Sequence, residues 1–170
     1  MPYTATLYYA VRGVAEAHVP FENLDRRFND FRPAFRQMVP VIEEENRHRF
    51  EVEGDPPWKP YKKDKQGHDA YRRYKLRQVG HDWLLMWSGA LAASLTRSGA
   101  KGAIVRIGKL ELARGTGLQV GKSGEWNLGL LHHEGAPRAK LPARPIMVLR
   151  KEAQLRLNEI FSDFLWQEGK

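Results

Sequence analysis

Prolines divide this chain more sharply than any other residue type. The pyrrolidine ring fixes φ, removes a backbone donor and clashes with the preceding helical turn. Pro56, Pro57 and Pro60, in the run Gly54-Asp55-Pro56-Pro57-Trp58-Lys59-Pro60, exclude a continuous helix or a central strand and predict a long loop over 54–80. Pro33 and Pro40 fall inside an otherwise helical pattern at 21–51. They predict two helices or one kinked helix, with the longer piece near 34–51. Pro142 and Pro145 bracket Ala143-Arg144 in a rigid turn that cannot pair as an ordinary strand.

Periodicity fills in the elements between these breaks. Residues 3–11 alternate Ala5, Leu7 and Tyr9 with Thr4, Thr6 and Tyr8, a strand pattern in β-favouring residues. Leu24, Phe28, Phe31 and Phe35 recur at helical spacing, followed less regularly by Met38, Val39, Ile42 and Phe50. Within the long loop, 69–79 fits a short basic helix. Residues 82–95 are apolar, with Ser88 as N-cap of a short helix through Leu95. The strand-like Ala103–Gly108 run and the Gly-rich stretch at 110–121 predict an extended hairpin over 103–121. Residues 126–135 read as a short apolar element ending in a turn, and Ile146–Leu149 as a short strand. The clearest helix is 150–166, where Leu157, Ile160, Phe161, Phe164 and Leu165 form one apolar stripe. The sum is a single α+β domain over 1–170, a small mixed or antiparallel sheet packed with two or three helices.

Charge and composition narrow the function classes. The net charge is +8. Residues 55–78 carry eight Lys or Arg against Asp55, Asp64 and Asp69, which is +5 of that total. Such a basic, aromatic stretch suits phosphates and bases, or an acidic protein surface. Lys62, Lys63, Lys65, Arg72 and Arg73 are its candidate DNA-facing cations. The chain has no cysteine, which removes disulfides, thiolate catalysis and cysteine-based zinc sites. No apolar run approaches the roughly 18–20 residues that span a bilayer, so no membrane is expected. The start, Met1-Pro2-Tyr3-Thr4, lacks the pattern of a signal peptide, so the expected compartment at synthesis is the cytoplasm.

Catalytic patterns are weak. Gly115-Thr116-Gly117 lacks the Gly-Lys-Ser/Thr ending and following helix of a phosphate loop. There is no Gly-x-Ser-x-Gly elbow, and Ser94, Ser98 and Ser123 have no marked base. His132 and His133 are adjacent, so their side chains diverge, and zinc sites use wider spacings. A hydrogen-bonding histidine at a turn fits better than a metal ligand. His68 and His81 lie apart from them. Glu43-Glu44-Glu45, Glu51 and Glu53 read as a solvated acidic helix face. No enzyme, cofactor or metal is expected.

The order of the remaining features is informative. Phe50 precedes Gly54 by four residues; Trp58-Lys59-Pro60 follows, then the basic stretch. Next come Leu85-Met86-Trp87-Ser88-Gly89-Ala90-Leu91-Ala92-Ala93-Ser94, His132-His133-Glu134-Gly135 and Pro142-Ala143-Arg144-Pro145. This succession resembles the bacteriophage virion morphogenesis family, or tail completion proteins, of Mu-like and P2-like phages. Five motifs match in order from about residue 50 onward. His133 stands where the family has Gln and Ile146 where it has Phe. Asn127-Leu128-Gly129 and neighbours replace a Tyr-Ala, and 110–124 resembles an insertion or a lengthened hairpin.

The resemblance implies a structural subunit of the phage neck or tail end, of tail completion or tail terminator type. It implies a ring homo-oligomer, commonly a hexamer, that joins the tail tube and sheath proteins to the head connector or neck proteins, with genomic DNA passing through the lumen. The virion would be its final location. The interface or structural positions then expected are Trp58, Tyr61, Gly89, Leu91, His132, Gly135, Pro142, Arg144 and Pro145. Arg144 is expected to pair with a carboxylate or backbone carbonyls, locking the last helix to the sheet or to a neighbour. Trp58 and Tyr61 are expected to anchor the loop. The alternative is a basic nucleic-acid-binding module for phage DNA packaging or processing.

Overall fold

The computed structural model describes residues 7–12, 28–137 and 141–166. The predicted strand residues 3–6 and the helical pattern at 21–27 lie outside them. The α+β expectation holds. β1 (Leu7–Arg12), β2 (Ala103–Ile107) and β3 (Glu111–Thr116) form an antiparallel sheet of order β1-β3-β2. Leu7 faces Thr116 across one side of β3, and Ala103 faces Thr116 across the other. β3 is therefore the central strand, and Leu112 through Thr116 are all buried. The predicted hairpin ends with β3. Residues 119–120 turn away as β4 (Gln119–Val120) and pair with β5 (Trp126–Asn127) in a separate two-stranded ribbon.

α1 (Arg32–Glu51) is the spine of the molecule. Of the two alternatives left by the prolines, two helices or one kinked helix, it is a single helix with Pro40 inside it. Pro33 sits in the first helical turn, where no backbone donor is needed. Pro40 lies inside the helix but on its exposed side, while Met38, Val39, Val41 and Ile42 around it are buried. Packing of those four holds the helix through the proline. The N-terminal half of α1 forms one core cluster with Phe31, Phe35 and Leu112 and with α5 (Lys151–Trp166). The predicted stripe of α5 faces this cluster, with Leu157 buried and Ile160, Phe161, Phe164 and Leu165 partly so. Phe31 stacks on Phe161 at 4.9 Å between ring centroids.

A second cluster gathers at the other end of α1. Phe50, Trp58, Leu84 and Leu91 meet Leu95, Ile146 and Met147 there. α2 (Ala70–Val79) supplies the expected basic helix within the 54–80 loop, and α3 (Ala90–Thr96) the short apolar one. The N-cap of α3 is Gly89, at φ 73°, rather than Ser88, whose hydroxyl accepts from the Ala90 amide at 3.4 Å. The short apolar element expected at 126–135 is β5 followed by the helix α4 (Leu128–Glu134), which ends at Gly135. Its cap, Asn127, accepts from the Leu130 amide at 2.9 Å and donates to the Thr116 carbonyl at 2.9 Å. Ile146–Leu149 pairs with no strand, because side chains take its backbone groups instead.

Candidate functional site

Four of the ordered motifs converge on one place. After α1 the chain turns back through Gly54, at φ 97°, directly beneath the Trp58 ring. A Cβ at Gly54 would come within 2.6 Å of that ring, so only glycine leaves room. Trp58 is 5% exposed, meets Phe50 edge-on at 5.4 Å and donates from Nε1 to the Pro145 carbonyl at 2.9 Å. It packs the loop on the chain's own second core cluster. Gly135 plays a matching part, because a Cβ there would lie 2.6 Å from the Ala143 nitrogen. The glycine that closes α4 thus lets the Pro142–Pro145 segment pass against it.

Arg144 joins the two segments. Its backbone amide donates to the His132 carbonyl at 2.7 Å, and its Nε to the Lys59 carbonyl at 2.8 Å. Nη2 reaches the Pro60 carbonyl at 3.4 Å, and the guanidinium lies 5.7 Å from the Tyr61 ring centroid. Backbone carbonyls are therefore its hydrogen-bond partners among the described residues. What it fastens is the 58–61 loop to α4, and not the last helix to the sheet. Arg144 is only 4% exposed.

The histidines divide their work. His133 Nδ1 lies 3.3 and 3.4 Å from the Ile146 and Met147 amides and accepts from them. Burial pushes its pKa down, with Glu134 opposing that shift and Arg49 adding to it. His132 Nδ1 is buried with no partner among the described residues. Desolvation, and then the Arg144 charge, lowers its pKa to about 4, so the imidazole is neutral at pH 7. No group of three His, Cys, Asp or Glu able to hold a metal occurs among the described residues.

Around this junction opens a pocket of about 370 Å³. Six of the nine sequence-predicted positions line it: Tyr61, Gly89, Leu91, His132, Pro142 and Arg144. Trp58, Gly135 and Pro145 stand behind that wall as its supports. Lys75 completes the floor. It is 2% exposed, donates to the Tyr61 hydroxyl at 2.9 Å and also donates to the Trp83 carbonyl. Burial lowers its pKa. Burial also raises that of Tyr61 to about 12, which keeps the phenol protonated.

A family model described as the phage virion morphogenesis family matches residues 15–165. The chain belongs to that family. No curated protein and no solved structure matches the chain. Membership gives the subunit a structural role in phage virion morphogenesis. No described helix is long and apolar enough to cross a membrane.

For a virion morphogenesis subunit, the arrangement is one of surfaces more than of chemistry. Lys62, Lys63, Lys65, Arg72 and Arg73 are all exposed on the loop and α2. Arg72 pairs with Asp82, whose carboxyl it holds below the usual range. The loop tip is ordered by Asp64, whose carboxylate accepts from the Gln66 and His68 amides at 3.0 and 2.7 Å. Sequence reasoning missed the part played by the acids of α1. Glu45 is 4% exposed and takes the Arg150 guanidinium in a forked pair, Nε to Oε1 at 2.8 Å and Nη2 to Oε2 at 3.0 Å. Glu43 pairs at 3.0 Å with Arg114, a fully buried residue of β3. Only Glu44 keeps to the solvated face predicted for the trio. Lys75 entered the sequence reading only in the charge of the 55–78 stretch, and its burial was not foreseen.

Proposed function

We propose that this protein is a ring-forming tail completion subunit of a tailed phage, of the terminator type, in the Mu-like or P2-like lineage. The ring, six-fold in this reading, joins the end of the tail tube to the head connector, and genomic DNA passes through its lumen. The observation that carries the reading is the family match across residues 15–165. The geometry is compatible with it. Nearly all the ordered motif positions build a junction between the loop and α4 and a pocket beside it. A closed ring requires head-to-tail contacts in which two different faces of each subunit meet. The exposed cations Lys62, Lys63, Lys65 and Arg73 suit a lumen traversed by DNA.

The test is the native mass of the purified protein together with negative-stain imaging, alone and in the presence of tail tubes. Rings of uniform order, or rings capping tubes, are expected. A single-chain mass under both conditions, with salt-dependent binding to duplex DNA, would replace this reading by the second one. That second reading, a nucleic-acid-binding module in packaging or processing, draws on the same exposed basic loop.

A further inference from the structure

Two exposed faces of this subunit are complementary in chemistry. One surrounds the pocket. Tyr61, Tyr71, Tyr74 and Trp87 follow one another at 5.0, 6.4 and 6.1 Å between ring centroids, and the last three are 48%, 46% and 45% exposed. Beneath them lie Lys75 and Arg144, and Lys62 stands at the rim. Among the described residues, no carboxylate lines the pocket. The nearest acids are engaged elsewhere, Asp82 by Arg72 and Glu53 by the Leu84 amide. A buried cation without a counter-charge is costly and is relieved by a carboxylate brought to it.

The other face is the outer side of α5. Glu152, Leu155, Glu159, Asp163 and Trp166 follow at spacings of three or four residues, so they share one stripe. It is diametrically opposite the stripe that enters the core. All five are exposed, Leu155 at 51% and Trp166 at 61%. Two carboxylates, Glu159 and Asp163, are thus set between Leu155 and Trp166, with Glu152 one turn before, which is the inverse of an aromatic rim over cations.

We propose that the outer stripe of α5 in one subunit docks on the aromatic, cationic face around the Tyr61–Arg144 pocket of the next. Glu159 and Asp163 face Lys62, Lys75 and Arg144, while Leu155 and Trp166 lie against Tyr71, Tyr74 and Trp87. This rests on the ring reading above and gives that ring its heterologous contact. The two faces differ, so each subunit offers one and receives the other.

Surface variants of the full chain test it. One carries E159K with D163K on α5; the other carries K62E with W87E at the rim. All four positions are exposed, so circular dichroism and thermal unfolding are expected to match the parent. Each variant alone is expected to lose the ring and run as a single chain in native mass measurements. Mixed in equal amounts, the two are expected to associate again, because one intact pair of faces remains between them and the reversed pair sets lysines against glutamates. A ring that survives in either variant would overturn this docking while leaving the ring reading intact. A mixture that stays monomeric would also overturn it, since the two faces then do not meet. A parent chain that forms no ring with or without tail tubes removes both.

Discussion

Arg144 holds its place without a carboxylate, which is unusual for a buried guanidinium. Its charge is met by the Lys59 and Pro60 carbonyls and by the face of Tyr61. Hydrogen bonds from a charged donor are worth about 1.5–3 kcal/mol each. Arg144→Ala is therefore expected to lower stability by about 2–3 kcal/mol in urea unfolding, and to impair virion assembly in complementation. Arg144→Lys is expected to recover less than half of that, because an ammonium neither forks nor stacks. Normal assembly by Arg144→Ala would remove the role assigned to this residue. His132 carries a pH-dependent contribution. Its folded pKa, about 4, lies below the ordinary value of 6.5, so the unfolded chain binds the extra proton first. Stability is then full above pH 6.5 and falls as pH drops toward 4, by on the order of 2–3 kcal/mol from this group. His132→Gln is expected to flatten that limb of the stability curve, leaving the smaller part due to His133, whose pKa is also lowered. Arg144 could be singled out in the sequence because two prolines frame it. The partners of His132 could not, since its useful group is a backbone carbonyl that any residue would offer.

At the scale of elements, α5 was legible because its two faces differ so completely, and α2 and α3 because their composition matched their length. α1 was only half legible. Pro40 signals a break, yet buried residues on both sides of it hold the helix together. The missing hydrogen bond falls on the exposed side, where water can satisfy the orphaned Arg36 carbonyl. Pro40→Ala restores the donor and is expected to stabilise the protein by about 1–3 kcal/mol, read as a rise in the urea midpoint with unchanged slope. No gain would mean that the packed face enforces a bend which alanine cannot relax. Ile146–Leu149 shows the converse limit. Its apolar residues suit a strand, but a strand exists only with a partner. Here the His133 imidazole takes the Ile146 and Met147 amides, and Arg49 donates to the Val148 carbonyl at 2.9 Å. Such long-range side-chain partners leave no local pattern.

The whole molecule is two apolar clusters threaded on one helix, with a polar seam between them. At the seam Glu45 takes Arg150, Asn46 donates to the Leu95 carbonyl at 3.0 Å, and Arg49 bonds the Asp55 and Val148 carbonyls. Here the acidic trio misled the sequence reading. Met38, Ile42, Glu45 and Arg49 lie at i, i+4, i+7 and i+11, so the buried face of α1 runs on through Glu45 and Arg49 after its apolar residues stop. The charge run hid a periodicity that was present. The seam couples the clusters, because Arg150 opens α5 in the first and Val148 follows Met147 of the second. Arg150 is a third exposed, but Arg49 is buried 4.0 Å from Glu45, and removing Glu45 leaves that charge uncompensated, at a cost of about 3–5 kcal/mol. Glu45→Ala is expected in that range, whereas Glu44→Ala one residue earlier is expected within about 0.5 kcal/mol. Because both clusters share α1, Glu45→Ala should still unfold in one transition, with fluorescence of the Trp58 region and far-ultraviolet dichroism coinciding. Two separated transitions would instead show that the seam alone joins the halves, and that the pocket face and the α5 face can move independently within a subunit.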